Sequence, residues 1–553
     1  MMAFPQIAAP PLPAETLQHI AQYFCSSNEM HAFVTALPQE LLTLPMAALR
    51  ELYACVRDGR LVDTSADQPK MVQLWPNMEL PMSFTDATLP RSVADAQLVA
   101  LLRTYLSMLP RISTHAGRSV SDVVPPGTKL CIDVVSAVDE LERAADLRNV
   151  EALRVIIRDC CDGSWPPDAF DYLSRMPTLR ELRACWVPVR STALQTNFVN
   201  MLVCSGITRL TLHYHNSVSK WSAETAKAFV RWVCNAPISS LELRNLPLNK
   251  MNATRLSVGI LQSRTLKVLN VAEDLSSLLF GIIVHQPFLS QVGRLALPAQ
   301  LETLEAIVEQ ERDVVRFLRV VCGANLRHVS LSWDEPLGDR TVLALPRVLA
   351  SLQNLRYLEL GGDPIRPIDL APLRRLEHLE LQQSSLGDLG VISMVRTLPQ
   401  CRRLRFLSLV DQECTYVTAE ALADVIPHCP SLKTLELSFN NFGSEGLVAL
   451  LPIVGSLDAL LLRNNGIDVD GALFLATHMD ATAHLTDLEL SGNPIGEYGV
   501  ISLIHAMATS PVHRGGTVGL CNTVDNAEHL ARCLSWADAL PNRAWCKLDV
   551  LSH

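Results

Sequence analysis

A tandem motif near the C-terminus constrains this chain more than any other feature of its sequence. The pattern Leu-x-x-Leu-x-Leu-x-x-Asn-x-(Phe/Ile) occurs at residues 432–442, 457–467 and 485–495, each time with the asparagine in register. Its central part alternates with a period of two, which predicts a short β-strand with one buried face. The asparagine follows the strand, where its amide can bond backbone groups of the turn. The rest of each repeat is predicted to return as a helix that covers the core.

Degraded copies of the motif extend the array towards the N-terminus, mostly at spacings of 25 to 31 residues. A chain of 553 residues is too long for one compact core. A repeat array escapes this limit because each repeat packs only on its neighbours. The copies begin at Leu404, Leu376, Leu355, Leu326, Val292, Leu266, Ile238 and Ile207, with weaker ones at Leu179 and Leu153 and a first strand at residues 130–134.

Two repeats depart from the common length. The repeat that starts at Leu355 is short and contains Pro364 and Pro367, which forbid a full helix there. The repeat that starts at Val292 is the longest, and apolar residues at helical spacing predict an extended helix over residues 301–321.

With a period near 28 residues and a strand followed by a full helix, the chain resembles the ribonuclease-inhibitor type of leucine-rich-repeat protein. The resemblance covers residues 129–553 and is strongest over residues 326–495. It implies an α/β leucine-rich-repeat solenoid, a horseshoe with a parallel sheet inside and helices outside. Residues 518–520 and 548–550 resemble degraded capping repeats at its C-terminal end.

The first 128 residues lack the repeat and are predicted to be all-α, with a helical segment over residues 1–60 and a helical connector and linker over residues 61–128. The first segment resembles the F-box, a helical module that docks on the Skp adaptor of a ubiquitin ligase. The alternative is that these helices only cap the solenoid. The resemblance rests on Glu15 and on four residues predicted to dock on the adaptor, Leu12, Pro13, Leu17 and Ile20.

Composition and charge narrow the classes of function. The net charge of −10 argues against nucleic acid as a partner, because phosphate binding needs a basic surface. No apolar run approaches the roughly 18 residues needed to span a bilayer, so no membrane partner is expected. The 15 cysteines are scattered and no secretory signal is recognisable, which favours reduced thiols in the cytoplasm or nucleus.

No sequence motif for catalysis, a cofactor or a metal stands out. The chain lacks a phosphate-binding Gly-x-x-x-x-Gly-Lys-(Ser/Thr) loop, a Gly-x-Ser-x-Gly nucleophile turn and a His-Glu-x-x-His zinc motif. The imidazoles of His213 and His215 have no evident third ligand. We therefore expect neither enzyme activity nor a bound cofactor or metal. An enzyme with a site hidden in the first 128 residues is the least favoured alternative.

Strand alternation predicts which residues lie on the concave face of the solenoid. One outward column is rich in glutamate, and aromatic side chains, which are favoured anchors of protein interfaces, lie beside it. The acidic column either binds a basic partner or is a solvated face balanced by neighbouring Lys and Arg. Trp333 either is exposed or packs under the following loop. The predicted partner-binding residues are Glu242, Trp333, Tyr357, Glu359, Glu380, Phe406, Glu436 and Glu489.

These features together indicate an interaction protein that performs no chemistry of its own. An F-box-like segment joined to this type of solenoid is a combination typical of eukaryotic proteins. It implies a substrate receptor of a Skp/cullin ubiquitin ligase, which holds a protein client close to the ligase. The alternative is a plain scaffold or inhibitor whose N-terminal helices cap the solenoid.

Overall fold

A computed structural model divides the chain into two compact units, residues 1–252 and 253–553. Each unit contains parallel β-strands that alternate with helices. The residues whose structure is described are 34–37, 42–57, 62–63, 70–71, 100, 104, 111–115, 129–134, 138–145, 150–156, 168–187, 192–214, 221–284, 295–482, 485–509, 517–524, 527–538 and 546–547.

In the first unit, a short antiparallel pair precedes a run of parallel strands, each paired with the next one in the chain. The strands are β1 (Val62–Asp63), β2 (Lys70–Met71), β3 (Arg111–His115), β4 (Lys129–Val134), β5 (Val150–Ile156), β6 (Glu181–Val187), β7 (Arg209–Tyr214) and β8 (Ser240–Arg244). The helices are α1 (Leu44–Arg57), α2 (Val138–Ala145), α3 (Asp168–Ser174), α4 (Thr192–Cys204) and α5 (Ala223–Asn235).

The second unit continues the same alternation, and the boundary at residue 252 falls within α6 (Lys250–Leu261). Its strands are β9 (Val268–Ala272), β10 (Thr303–Val308), β11 (His328–Trp333), β12 (Tyr357–Gly361), β13 (His378–Gln382), β14 (Phe406–Val410), β15 (Thr434–Glu436), β16 (Ala459–Leu461), β17 (Asp487–Glu489), β18 (Thr517–Gly519) and β19 (Cys546–Lys547). Its helices are α7 (Glu273–Val284), α8 (Glu311–Val321), α9 (Asp339–Ala350), α10 (Gly387–Val395), α11 (Tyr416–Val425), α12 (Gly443–Val454), α13 (Val469–Thr477), α14 (Gly496–Thr509) and α15 (Ala527–Asp538).

The strands bury alternate side chains, as their period-two pattern predicts. In β12, Leu358 and Leu360 are fully buried, while Tyr357, Glu359 and Gly361 are partly exposed. The parallel register places Leu358 beside Leu379 of β13, which in turn lies beside Leu407 of β14. Burying one leucine side chain contributes about 1.5–3 kcal/mol, so these rows of leucines form the core of the repeats.

The asparagine after each motif bonds the backbone of the turn, as predicted from the sequence. Asn493 is 1% exposed and donates from Nδ2 to the carbonyl oxygens of Leu462 (2.7 Å) and Leu490 (2.8 Å). Its Oδ1 accepts from the backbone N–H groups of Asn465 (2.8 Å) and Ile467 (3.1 Å). One amide side chain therefore satisfies four backbone groups and joins two successive repeats.

Glutamine fills the same role one repeat before the first complete motif. Gln412 donates from Nε2 to the carbonyl oxygens of Leu381 (3.2 Å) and Val410 (2.9 Å). Asn440 then accepts from the backbone N–H groups of Gln412 and Cys414, both at 3.0 Å. Because each amide also bonds the backbone of the preceding repeat, the amides form a continuous ladder along this part of the core.

The long helix predicted over residues 301–321 is wrong in its N-terminal half. That half forms β10, in which Leu304, Ala306 and Val308 are buried at alternate positions, and the helix α8 begins only at Glu311. The apolar residues fit helical spacing as well as strand spacing, so periodicity alone does not distinguish the two. Pairing with β9 and β11 decides for the strand.

The strand predicted from the motif at Val292 is consequently misplaced. Residues 295–300 form no strand, and the motif of this repeat is Leu301-x-x-Leu304-x-Ala306. Because Ala306 replaces the last leucine, this copy of the motif is difficult to recognise in the sequence.

The short repeat has the structure that its prolines predict. Between β12 and β13, residues 362–377 contain no helix. Ile365, Ile368 and Leu370 are buried in this segment, so irregular chain covers the core where other repeats use a helix.

The parallel sheet begins earlier than the predicted boundary at residue 129. β3 pairs in parallel with β4, in a register that places Arg111 beside Lys129. In the N-terminal region, α1 buries Met46, Leu49 and Leu52. The four predicted adaptor-docking residues lie outside the described part of the chain: Leu12, Pro13, Leu17 and Ile20.

Candidate functional site

The strands of the second unit present their outward side chains in columns, because the parallel register sets equivalent residues side by side. We call this surface the strand face; it corresponds to the concave face predicted from the sequence. Its first column contains Thr303, His328, Tyr357, His378, Phe406, Thr434, Ala459 and Asp487. Its second column contains Glu305, Ser330, Glu359, Glu380, Ser408, Glu436, Leu461 and Glu489.

Four rings of the first column stack across β11–β14. The ring centroids of His328 and Tyr357 lie 3.9 Å apart, and those of Tyr357 and His378 lie 4.2 Å apart. The centroids of His378 and Phe406 lie 4.0 Å apart. The ring planes are nearly parallel, with interplanar angles of 5°, 13° and 2°. We call these four residues the ring ladder.

The spacing of the strands makes this stack possible. Parallel strands lie about 4.8 Å apart, close to the distance at which two rings stack. Each ring is held by the ring on the next strand, so little side-chain freedom remains to be lost when a partner binds. The inner ring faces cover one another. A ligand can therefore contact the ring edges and, at the two ends of the ladder, the outer faces of His328 and Phe406.

The first carboxylates of the second column have partners on the strand face itself. Glu305 accepts a hydrogen bond from Nδ2 of Asn270 (2.5 Å) and lies 3.2 Å from Nε2 of His328. The hydroxyl of Tyr357 donates to Glu359 (3.1 Å). Burial, followed by the charge of Glu359, raises the pKa of the Tyr357 phenol well above its ordinary value, so the hydroxyl remains a donor. The ring ladder and the carboxylate column therefore support each other.

Two further carboxylates are paired with basic side chains. Glu380 lies 3.2 Å from Nε2 of His378, and this contact is the main cause that lowers the pKa of the Glu380 carboxyl. Glu489 lies 2.8 Å from Nη2 of Arg463. Burial opposes ionisation of Glu489, but hydrogen bonds from Ser491 and Arg463 outweigh it and lower the pKa. Arg463 thus neutralises the charge of Glu489, whereas the carboxylates beside the ring ladder have histidine or tyrosine side chains as partners.

Glu436 differs from these carboxylates. It accepts a hydrogen bond from the backbone N–H of Ser438 (2.9 Å) and forms no ion pair with any residue that the structure describes. Burial raises the pKa of its carboxyl and outweighs the hydrogen bonds from Ser438 and the attraction of Arg463. Next to it on β14, Ser408 is 1% exposed, and its hydroxyl has no hydrogen-bond partner in the described part of the chain.

Trp333 is buried, which corrects the expectation that it is an exposed anchor. It is 4% exposed and shares the inward positions of β11 with Val329 and Leu331. Its Nε1 donates to the carbonyl oxygen of Asp363 (3.4 Å) in the following loop. A Cβ at Gly362 would lie 2.6 Å from the indole, so glycine leaves the space that the ring needs. Tyr357 and Phe406, at outward positions, are partly exposed as predicted.

Glu242 lies on β8 of the first unit, whereas the other predicted residues lie in the second unit. Its carboxylate is 2.8 Å from Nε2 of His213 and 3.3 Å from Nη2 of Arg244, and it accepts a hydrogen bond from Thr211 (3.2 Å). Burial raises its pKa, but these partners outweigh it, so the net direction is downward. Glu242 is therefore engaged by its own neighbours.

The strand face has no described arrangement typical of a metal or redox site. Within the described residues, no group of three or more His, Cys, Asp or Glu side chains could hold a metal ion. The nine cysteines whose side chains the structure describes are free thiols. None of the described helices is long and apolar enough to cross a bilayer.

Inspection of the sequence missed two features of this surface. One is the pairing of His328 and His378 with the carboxylate column, although aligning the repeats places these residues in one column with Tyr357 and Phe406. The other is the buried hydroxyl of Ser408, for which the sequence has no signal because its burial comes from neighbouring strands.

Comparison with known proteins agrees with the repeats seen in the structure. A family model described as Leucine Rich repeat matches residues 428–451 and 483–503, which include β15 and β17 with the first part of the helix that follows each. The fold is a leucine-rich-repeat solenoid. The match covers two stretches of the chain, and the register of the strands carries the same repeat through the rest of the second unit.

Similar proteins include ribonuclease inhibitors. The ribonuclease inhibitor of Sus scrofa is 31% identical over 199 residues, which are 34% of this chain and 43% of that protein. MAP-homologous protein 1 of Saccharomyces cerevisiae is 30% identical over 137 residues, or 23% of this chain and 10% of that protein. The matched part of the chain thus spans less than half of each relative. These relatives and the repeats support a leucine-rich-repeat protein of the ribonuclease-inhibitor type.

The chain also has a partial likeness to a solved structure. An internalin from Listeria monocytogenes aligns with 72% of this chain and 86% of its own chain, at 14% sequence identity and a TM-score of 0.25. A TM-score this low does not by itself establish a common fold, which here follows from the repeats and the strand register.

Proposed function

We propose that this chain is a protein-binding solenoid and that the strand face of the second unit holds its protein client. The observation that carries the proposal is the ring ladder with carboxylates beside it. Aromatic side chains are favoured anchors of protein interfaces, and anchors that are already ordered cost less conformational entropy on binding. The chain itself performs no chemistry in this function; it holds a client in place.

The relatives support a protein as the client. Two of the similar proteins are named as inhibitors of ribonuclease, which is itself a protein. The fold alone does not name a client, because the exposed side chains are not constrained by the repeat.

Site-directed photocrosslinking in cells tests this proposal. A photoreactive amino acid replaces Val410 or Leu461, which lie at outward positions on the strand face, or Leu389 on α10, which is 88% exposed. We expect one protein to be captured at both strand-face positions and not at Leu389. Capture from Leu389 alone, or no capture at any position, would contradict a client on the strand face.

We further propose that the N-terminal segment docks on the Skp adaptor, which would make the chain a substrate receptor of a Skp/cullin ubiquitin ligase. The support is the sequence resemblance at Leu12, Pro13, Leu17 and Ile20. The competing proposal is a plain scaffold or inhibitor in which these helices cap the solenoid. The free cysteines support a proposed location in the cytoplasm or nucleus, where thiols stay reduced.

Binding of the full-length chain to purified Skp adaptor separates the two proposals. The test variant combines Leu17→Asp with Ile20→Asp, and the control is Leu389→Asp at an exposed site. Docking predicts that the double variant loses the adaptor while thermal stability is unchanged. A cap predicts the reverse: no adaptor binding by the unaltered chain, and a lower melting temperature for the double variant.

A further inference from the structure

Beside the ring ladder, the first column of the strand face continues with shorter side chains, and we call this stretch the trough. After Phe406 the first column continues through Thr434 on β15 and Ala459 on β16 to Asp487 on β17. These are three strand steps of about 4.8 Å, so the trough is roughly 14 Å wide. Thr434 and Ala459 form its floor, the ring of Phe406 forms one side and the carboxylate of Asp487 forms the other.

The ring wall of the trough is the outer face of Phe406. His378 covers the inner face at a centroid distance of 4.0 Å. On the outer side the next residue of the column is Thr434, whose side chain is too short to cover a phenyl ring. Within the described chain, the stack stops at this point. A planar group placed over Thr434 would continue the ladder at the same spacing.

The chemistry of that planar group is set by Glu436, which lies two residues after Thr434 on the same strand. Its carboxylate is the one in this column whose pKa is raised, because burial outweighs the hydrogen bonds from Ser438 and the attraction of Arg463. It forms no ion pair with a described residue. The carboxylates of Glu380 and Glu489 do have such partners. A further cation beside Glu436 would offset the cost of burial that Ser438 and Arg463 leave uncompensated.

Ser408 is an independent observation that points to the same ligand. It lies in register between Glu380 and Glu436, is 1% exposed, and its hydroxyl has no partner within the described residues. Buried polar groups are nearly always hydrogen-bonded, so an unpaired hydroxyl indicates a donor or acceptor that the isolated chain does not supply. A ligand with several N–H groups would satisfy the lone pairs of the hydroxyl together with the carboxylate.

We propose that the trough binds the guanidinium group of an arginine side chain of the client, stacked on Phe406 and paired with Glu436 and Ser408. Guanidinium is planar, stacks on aromatic faces and carries five N–H donors. The ammonium group of lysine is a compact charge that cannot stack. The inference rests on the proposed function, since it assumes that the strand face binds a protein, and it adds that the client has an exposed arginine.

Calorimetric titration of the full-length chain with short peptides tests this inference. The probes are tetra-arginine, tetralysine and the uncharged tetracitrulline, which keeps the planar shape of arginine without its charge. At low salt we expect tetra-arginine to bind about tenfold or more tightly than either other peptide. Equal affinity for tetra-arginine and tetralysine would overturn the stacked guanidinium, and so would the absence of binding.

Variants locate the peptide in the trough. Glu436→Gln removes the charge and Thr434→Phe fills the slot with a fifth ring; each should weaken tetra-arginine binding about tenfold. Phe406→Leu should reduce the preference for arginine over lysine. Glu420→Gln on α11, with the same loss of one charge at an exposed site, should change the affinity less than twofold. If Glu436→Gln and Thr434→Phe bind normally, the peptide lies elsewhere and the inference fails.

The outcomes also separate this inference from the proposed function. Suppose that a client is crosslinked from Val410 and Leu461 but tetra-arginine binds no more tightly than tetralysine. The strand face would then remain the interface, and the proposed guanidinium site would be wrong. Circular dichroism of each variant shows whether it is folded. Thr434→Phe removes no ring or carboxylate, so it tests the slot even if Phe406→Leu is unstable.

Discussion

Replacing Asn493 by alanine should destabilise the second unit more than most single substitutions do. The side chain is buried and makes four hydrogen bonds to backbone groups, at 2.7, 2.8, 2.8 and 3.1 Å. Each bond contributes about 1 kcal/mol, and a buried backbone group left without a partner costs about 1–3 kcal/mol. Alanine should therefore lower the free energy of unfolding by about 3–5 kcal/mol, a large part of the stability of an ordinary domain.

Urea unfolding followed by circular dichroism measures the total effect. Hydrogen exchange with mass spectrometry shows where it occurs, because repeats can open locally. We expect faster exchange over residues 462–495. The control is Asn441→Ala, at an exposed asparagine two repeats earlier, which should cost less than about 0.5 kcal/mol. A loss below about 1 kcal/mol in Asn493→Ala, with unchanged exchange, would refute the reasoning that the amide holds successive repeats together.

Three further predictions concern a carboxylate, a turn and a thiol. The pKa of Glu380 is lower in the folded chain than in the unfolded chain, so its carboxylate stabilises the fold above pH 4.5. This contribution is lost as the pH falls through the pKa of the folded chain. Glu380→Gln should therefore flatten the acid limb of a curve of unfolding free energy against pH. Gly492 has φ +73° and a Cβ there would lie 2.2 Å from Oδ1 of Asn464, so Gly492→Ala should lower the unfolding free energy by about 1–3 kcal/mol in urea titrations. Burial raises the pKa of Cys401 to about 12, so mass spectrometry should find it unalkylated by iodoacetamide in the native chain, while exposed Cys322 is alkylated.

The repeating parts of the fold were predictable because a local pattern encodes them. Leucines at alternate positions and an asparagine after the strand require only neighbouring repeats for their partners, so the predicted strands near residues 432–495 agree with the structure. The prediction failed where a residue departed from the motif. Ala306 concealed β10, and the apolar residues around it suited a helix equally well until the pairing of strands was known.

The candidate site was predictable in its positions and not in its interactions. Alternation placed Tyr357, Glu380 and Glu436 outward, and they are outward in the structure. Trp333 was wrongly predicted to bind a partner: it shares the inward positions of β11 and is buried. The adaptor-docking residues near Leu17 stay a prediction, since they lie outside the described chain.

The sequence alone determined the class of fold and the identity of the outward columns, because both follow from spacing along the chain. Only the tertiary structure decided which outward side chains interact. Residues such as His378 and Phe406 are 28 positions apart, and the parallel register brings their rings to 4.0 Å. The same register sets Ser408 between two glutamates and leaves Glu436 without an ion pair among the described residues. Distances across strands depend on the packing of whole repeats, and one-dimensional spacing carries no information about them.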